Sequence, residues 1–394
     1  MSETQKHTKP NVPNLRFPGF EGEWEEYINE NLFSISKEKN KSLEYHTVLS
    51  ASQTEGMVER DSLGIDIKYE AESVSGYKVV RPGEYVIHLR SFQGGFAFSD
   101  TTGICSPAYT ILHPKEVLSY SFLREYFMSR KFIDSLRLVT YGIRDGKSIS
   151  IEEWMKLKTY IPKSLKEQER IKEFLGLIDK RLTIQNKVIE RYESLIRAII
   201  LRSQSSSSIR IVYLREILNE RRELNEHGYD ICSVSVSKGV VNQVEYLGRS
   251  FAAKETAHYH VVHKGDIVYT KSPTGEFPYG IIKQSYLDTP VAVSPLYGVY
   301  EPIDYLTGVY LHHFFCSPQN AKNYLHKLIQ KGAKNTINIT NQHFLDNLIS
   351  IPGSDALKRI VALIEILSTK VDLERELLSI YSKQKAFLLF SLFI

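Results

Sequence analysis

The most regular run of apolar positions lies in the middle of the chain. Ile171, Leu175, Ile178, Leu182, Gln185, Ile189, Tyr192, Ile196 and Ile199 recur in alternating steps of four and three. This is a heptad seam, apolar except at Gln185, and it predicts one long helix. Pro162 suits the position before that helix, and Ser164 with Glu167 reads as a capping box. The tract from Ser203 to Ser208 predicts a flexible linker at its end. A second seam follows from about Asp355: Ile360, Ile364, Leu367, Val371, Glu374, Leu378, Tyr381, Lys385 and Leu388. Tyr381 falls where Tyr192 does and Glu374 where Gln185 does, while Lys385 is a further polar break. Strict seams of this kind predict that the two helices pack on each other, antiparallel. A helix of about 38 residues is about 57 Å long at roughly 1.5 Å per residue, so the pair reads as a spacer. About a local dyad, Gln185 and Glu374 are expected to meet at its centre, where a buried polar contact fixes register.

Outside the seams, short runs rich in Val, Ile and Tyr are broken by Gly or Pro. YEAESVSGYKVV, EYVIHL, PAYTIL, DIVYTK and LYGVYEP read as strands. SYSFLREYFMSRKFIDSL and LTGVYLHHFFCSPQNAKNYLHKLIQ read as helical. These segments occur twice in the same order. Tyr77 to Glu84 is echoed by Tyr259 to Asp266, each an apolar run followed by a Gly–acid turn and a second apolar run. Ser106-Pro107-Ala108-Tyr109 matches Ser294-Pro295-Leu296-Tyr297, and Gly142–Pro162 matches Gly332–Pro352 without a gap. The expected fold class is α+β. Two α/β domains, residues 1–161 and 206–352, are separated by two long antiparallel helices, residues 162–205 and 353–394, that form a coiled-coil spacer with an internal pseudo-twofold repeat.

Composition narrows this only a little. The 394 residues are 42% hydrophobic and 24% charged, enough for sizeable cores, and favour two or more domains. A net charge of +4 permits local basic patches without demanding a nucleic-acid partner. Cys105, Cys232 and Cys316 lie far apart, with no metal-ligand spacing, as reduced core residues of a cytosolic protein do. The polar start lacks an apolar signal core, and the final KAFLLFSLFI is too short to span a bilayer and reads as a packed helix end. A cytoplasmic protein with no membrane partner is expected.

The segment Pro13-Asn14-Leu15-Arg16-Phe17-Pro18-Gly19-Phe20-Glu21-Gly22-Glu23-Trp24 and the motif P-x-x-x-x-E-Q-x-x-I from Pro162 to Ile171, with Glu167-Gln168, are specific when taken together. With Gly265-Asp266 leading to Lys271 and the helix ends LIRAIILR and KQKAFLLFSLFI, they resemble the specificity subunits of type I restriction–modification systems. The resemblance covers nearly the whole chain. It departs at the second proline motif, Ile351 to Leu357, which lacks a Glu-Gln pair, and at Glu84, which stands where an Asp is usual. The resemblance implies that each globular part is a target recognition domain reading one half of a split sequence in double-stranded DNA. The helices then set the unread gap and dock two methyltransferase subunits for adenine methylation, and motor–nuclease subunits join to cleave unmodified DNA. Two related readers joined by a ruler suit an asymmetric bipartite site, much as dimers suit palindromes.

No glycine-rich motif for a methyl donor and no Walker-type loop occurs, so no cofactor and no catalysis are expected of the chain itself. The two Ser-Pro-x-Tyr segments lack the Asn or Asp of an adenine-methyltransferase motif and read as strand or turn positions. His258, His260 and His263, and likewise His312 and His313, read as solvated or packing residues, since no carboxylate or Cys completes a metal set. Basic and polar residues on Gly-rich loops are the candidates for DNA contact, because Gly lets the backbone approach a groove. They are Arg90 and Gln93, Arg144 and Lys147, Lys271 and Thr274, and Lys331, Lys334 and Asn335. Gln93 and Asn335 have the chemistry to read adenine by paired hydrogen bonds. Two other readings stay open at this point: a coiled-coil scaffold that binds proteins only, and a self-contained methyltransferase or nuclease, against which the missing cofactor motif speaks.

Overall fold

The computed structural model describes residues 11–52, 55–63, 71–88, 95–141, 148–205, 208–243, 255–331 and 337–394. The chain forms two compact units. One is Met1–Gln185 with Leu377–Ile394, the other Asn186–Glu376. Each is built on a four-stranded antiparallel sheet. In the first unit the order is Phe33–Ser36, Thr110–Pro114, Tyr85–Ile87, Phe96–Phe98. In the second it is Leu218–Glu220, Gly298–Pro302, Ile267–Tyr269, Ile282–Gln284. The accessory pairs repeat as well. Glu25–Ile28 pairs with Lys158–Ile161 as Ile209–Tyr213 does with Leu348–Pro352. The hairpin at Thr140–Tyr141 and Ser148–Ile149 recurs at Gln330–Lys331 and Ile337–Asn338. The segments matched in sequence therefore mark one topology made twice.

Each central strand is buried on both faces, because alternate side chains enter different cores. Tyr85 and Ile87 pack with Trp24, Phe33 and Phe127, while Val86 packs with Leu49 and Ile111. Ile267 and Tyr269 pack with Tyr300 and Phe315, while Val268 packs with Val240 and Val291. The Gly–acid turn before each strand has a local cause. Gly83 and Gly265 adopt φ of 92° and 95°, a left-handed conformation that Gly takes without strain. The next carboxylate folds back to accept a backbone N–H: Glu84 from Arg81 at 2.7 Å, Asp266 from His263 at 2.8 Å. Glu in place of Asp leaves this turn intact.

The long helices are Leu165–Ser203 and Ser354–Leu392, 39 residues each. Each unit's main core takes the start of one helix and the end of the other. Ile171 and Leu175 join Leu388, Leu389, Leu392 and Phe393 in the first core. Leu357, Val361 and Ile364 join Ile196 and Ile200 in the second. Within each unit the two helix segments pack antiparallel. Asp179 pairs with Lys385 in the first unit and Glu193 with Arg375 in the second. Among the described residues no helix is long and apolar enough to cross a membrane.

Several local expectations change. Glu167 does not close a capping box with Ser164, because its carboxylate turns to Arg16 and Trp24 instead. The stretch 119–136 breaks into Arg124–Met128 and Arg130–Ser135, since Ser129 caps the second piece by accepting from Phe132 N. The stretch 306–330 breaks likewise at Ser317-Pro318, where Pro starts a new helix but cannot continue the old one. Residues Ala71–Gly76 form a 3-10 turn, and among the described residues of that stretch Lys78–Val80 is the strand. The expected linker begins inside the fold: Ser203 is buried, its hydroxyl 3.0 Å from that of Tyr310.

Candidate nucleic-acid interface

The candidates for DNA contact fall on three kinds of ground. Arg90, Gln93, Arg144, Lys147, Lys334 and Asn335 lie outside the described residues. Thr140↔Ile149 and Gln330↔Asn338 are antiparallel pairs in the two units. Lys331 sits in the second hairpin, opposite Ile337. Lys271 and Thr274 are placed in full.

Lys271 follows the central strand of the second unit with φ of 58°, unusual for a residue with a Cβ. The turn around it is tightly tied. Thr270 N donates to Ile281 O at 3.0 Å, Thr270 Oγ1 accepts from Ile281 N at 3.1 Å, and Tyr269 donates to Tyr279 O at 2.7 Å. Thr274 and Phe277 exchange backbone hydrogen bonds of 3.0 and 2.9 Å at its exposed tip. Gly280 closes it at φ of 103°, where a Cβ would lie 2.8 Å from Lys271 N. Lys271 Nζ donates to Asn341 Oδ1 at 2.6 Å, and Asn341 Nδ2 donates to Glu220 Oε1 at 2.6 Å. Arg222 donates to the other Glu220 oxygen at 2.8 Å. Burial pushes the Lys271 ammonium below its ordinary pKa, with Glu220 opposing. Burial also acts on Glu220, but hydrogen bonds from Asn341 and Arg222 hold it below the usual range.

This chain of polar groups joins two stretches that the sequence offered separately. Asn341 opens the short helix Asn341–Leu345, directly after the hairpin that carries Lys331. Asn341, Glu220 and Arg222 were missed, since nothing local marks them. Only Thr340 before Asn341 signals a helix start, and its hydroxyl accepts from His343 N at 3.2 Å. The short helix is anchored from below by Phe344, stacked on Tyr269 at 5.0 Å and Tyr300 at 4.7 Å. In the first unit Ser150 caps the equivalent helix Ile151–Lys156, and Trp154 holds it against Phe96 at 5.1 Å and Phe33 at 5.7 Å. Both units thus follow a two-residue-strand hairpin with a short helix held on an aromatic base.

The two motifs behind the family resemblance meet in the first unit. Arg16 binds Glu167 with two hydrogen bonds of 2.8 Å, and Trp24 Nε1 adds a third at 3.3 Å. Gln168 is fully buried. It donates to Val117 O and Pro162 O at 2.9 and 3.0 Å and accepts from Ser119 N at 2.8 Å. Glu167-Gln168 therefore fastens the helix to the N-terminal segment and to the first unit's core.

Along the seam, Gln185, Ile189 and Val371 are buried, while Ile178, Leu182, Tyr192, Leu367, Glu374, Leu378 and Tyr381 are half-buried. A second apolar stripe faces away from it. Leu177, Ile184 and Leu201 on the first long helix are exposed by 61–67%, and Ile366, Leu373 and Phe390 on the second by 57–60%. These are the same positions of the two repeats. In the first unit Phe174, Leu177, Ile178, Arg181, Tyr381 and Gln384 line a groove of about 210 Å³ beside the stripe.

The remaining sequence features are structural. Both Ser-Pro-x-Tyr segments are turns, with Tyr109 N on Ser106 O at 3.0 Å and Tyr297 N on Ser294 O at 2.9 Å. His260 contacts Tyr297 O and His263 contacts Glu223. His312 accepts from Gln284 N at 2.9 Å, and burial pushes its pKa down to about 3. Among the described residues no three His, Cys, Asp or Glu side chains form a metal-binding group.

No family model matches the sequence, and no curated protein matches it. Solved structures match its fold. The crystal structure of the S subunit of a type I restriction–modification system from M. genitalium is 14% identical, with a TM-score of 0.54 over 97% of this chain and 99% of that one. A chain from a structure on complex assembly and conformational transition of the type I restriction–modification system is 13% identical, with a TM-score of 0.53 over 95% and 97%. Over nearly its whole length, the chain has the fold of type I restriction–modification S subunits.

Proposed function

We propose that this protein is the DNA-recognition subunit of a type I restriction–modification complex. The observation that carries the reading is one recognition topology built twice in a chain whose fold follows that of S subunits end to end. In this reading residues 1–161 and 206–352 each read one half of a split target in double-stranded DNA. The hairpins with Arg144, Lys147, Lys331, Lys334 and Asn335, and the loops with Arg90, Gln93, Lys271 and Thr274, approach the grooves. Phosphate contacts set position, and base contacts give sequence. The chain supplies no catalysis. Two methyltransferase subunits methylate adenine, and motor–nuclease subunits cleave unmodified DNA.

The outward stripes support protein docking. Leu177 and Ile184 in one unit, and Ile366 and Leu373 in the other, offer one apolar face each, which suits two copies of a partner. The same stripes favour the second reading, a scaffold that binds proteins only. Co-expression with a methyltransferase subunit separates the two. A methylated split motif in host DNA is expected, and its absence from a co-purifying complex leaves the scaffold. Deleting seven residues from one long helix is expected to change the gap and leave both half-sites alone. An unchanged gap refutes the ruler, and a disulfide between Cys residues placed at Gln185 and Glu374 tests whether those two meet. Lys271→Ala is expected to weaken DNA binding and to flatten its salt dependence.

A further inference from the structure

Lys385 is the one break in the second seam without a polar counterpart in the first. It lies 2.5 Å from Asp179 Oδ1 on the other long helix and 2.5 Å from Glu125 Oε2 on the short helix Arg124–Met128. All three belong to the first unit. The side chains of Lys385 and Glu125 are only 18% and 13% exposed. Arg124 flanks Glu125 at 3.8 Å, and the Arg181 guanidinium lies 4.2 Å above the Tyr381 ring one turn away. Three elements, two helices and the recognition core, therefore share one buried ammonium.

The second unit does this differently. The seams align Tyr192 with Tyr381, which sets Ile196 at the place of Lys385. Ser129 and Ser317 are matching helix caps, each accepting the N–H three residues on, which sets His313 at the place of Glu125. Burial holds His313 neutral, its pKa pushed down to about 3. Ile196 sits in an apolar core. An apolar joint tolerates small rotations, because dispersion contacts are non-directional. A largely buried ammonium between two carboxylates does not, since displacing it from Glu125, 13% exposed, leaves a desolvated charge unpaired even though Asp179, 35% exposed, can turn to solvent. Such groups are weak contributors to stability, and their best-attested use is to fix geometry.

We infer that Lys385 is a positioning residue for target recognition: with Glu125 and Asp179 it locks the angle of the first recognition domain on the long helices, and so the gap between half-sites. The inference rests on the DNA-recognition reading for its consequence, though not for the lock itself. A rotation at the joint is magnified at the DNA-facing loops, and base pairs rise only about 3.4 Å each.

The test is Lys385→Ile, which gives this joint the residue of the other, with Lys385→Arg as the conservative variant. Spin labels go on Lys41→Cys in the recognition domain and Lys180→Cys on the helix, both exposed positions, in a Cys316→Ser background. The unsubstituted joint is expected to give one narrow distance peak, Lys385→Ile to lose it, and Lys385→Arg to keep it. If Lys385→Ile unfolds the unit, Lys385→Ile with Glu125→Leu and Asp179→Ser removes every stranded charge and is expected to fold with the same broad distribution. A narrow peak in the folded Ile-bearing chain overturns the lock. With a methyltransferase subunit co-expressed, the variant is expected to methylate sites one base pair longer or shorter, with both half-sites unchanged. A broad peak with an unchanged gap overturns the link to recognition. No split-site methylation even from the wild-type chain refutes the functional reading and leaves the distance result to decide the lock.

Discussion

Replacing Glu167 with Ala removes the hub that ties the N-terminal segment to the first long helix. Glu167 is 2% exposed and takes both Arg16 hydrogen bonds together with that of Trp24 Nε1. Stripping one partner from a buried ion pair costs about 3–5 kcal/mol, because the other charge stays desolvated. Arg16 keeps its contacts to the carbonyls of Glu21 and Gly22 and some solvent, which places the loss near the lower end, at about 3 kcal/mol. For a domain of about 200 residues that lowers the melting midpoint by about 6–12 °C. The chain provides its own reporter. Its two tryptophans, Trp24 and Trp154, are both buried in the first unit, so tryptophan fluorescence follows that unit alone. Backbone circular dichroism follows both units, and the second is expected to melt as before. A fluorescence midpoint that moves by less than about 2 °C refutes the reasoning. So does a coupling energy below about 0.5 kcal/mol in the cycle with Arg16→Ala.

Phe344→Ala removes the aromatic base under the short helix Asn341–Leu345 and is expected to destabilise that unit by about 3–5 kcal/mol, read by hydrogen exchange of its amides. Unchanged protection there rejects the base. Gly280→Ala forces a Cβ against Lys271 N at a positive φ, so a folded chain with a displaced Lys271 loop and weaker DNA binding is expected. Wild-type affinity in a gel-shift titration counts against that loop as an interface. His312 is held neutral by burial with a pKa of about 3, so the unfolded chain takes up a proton near pH 6.5 that the folded chain refuses until about 3. Stability from the neutral ring is complete above pH 6.5 and is lost as pH falls from there toward 3. Urea midpoints of His312→Gln are expected to fall less steeply over that window than those of wild type, and parallel curves reject the assignment.

The long helices and the doubled topology were legible because their signals are periodic. A seam with Tyr192 and Tyr381 in register needs no knowledge of the rest of the chain, and the order of matched segments survives even where identities do not. Single polar partners were not legible. Glu167 looked like a capping residue because Ser164 stands three residues before it, yet Arg16, some 150 positions away, offers a charge and two donors. Lys385 looked like a flaw in a seam because Glu125 reaches it only through the fold. Pro318 carried a boundary signal that the single helical reading ran through, whereas the break at Ser129 rests on one side-chain hydrogen bond that sequence leaves ambiguous. The residues proposed for DNA contact depend on loop conformation, and Lys271 illustrates why: its ammonium is engaged by Asn341, whose position follows from a hairpin sixty residues later.

The way each core borrows from both long helices bears on the order of synthesis. The second unit is one unbroken run, Asn186–Glu376, so every residue of its core is available once that run has left the ribosome. The first unit starts earlier and finishes later. Trp24 waits for Phe393, whose ring lies 6.2 Å from it, and Leu15 N waits for Ser391 O at 2.9 Å. At about 5–20 residues per second, the first half spends tens of seconds with that side of its core open. The unit made second therefore closes first. A chain cut anywhere before Leu388 leaves Trp24 and Phe122 without their cover, and exposed apolar surface of that kind is what makes incompletely folded chains prone to aggregate.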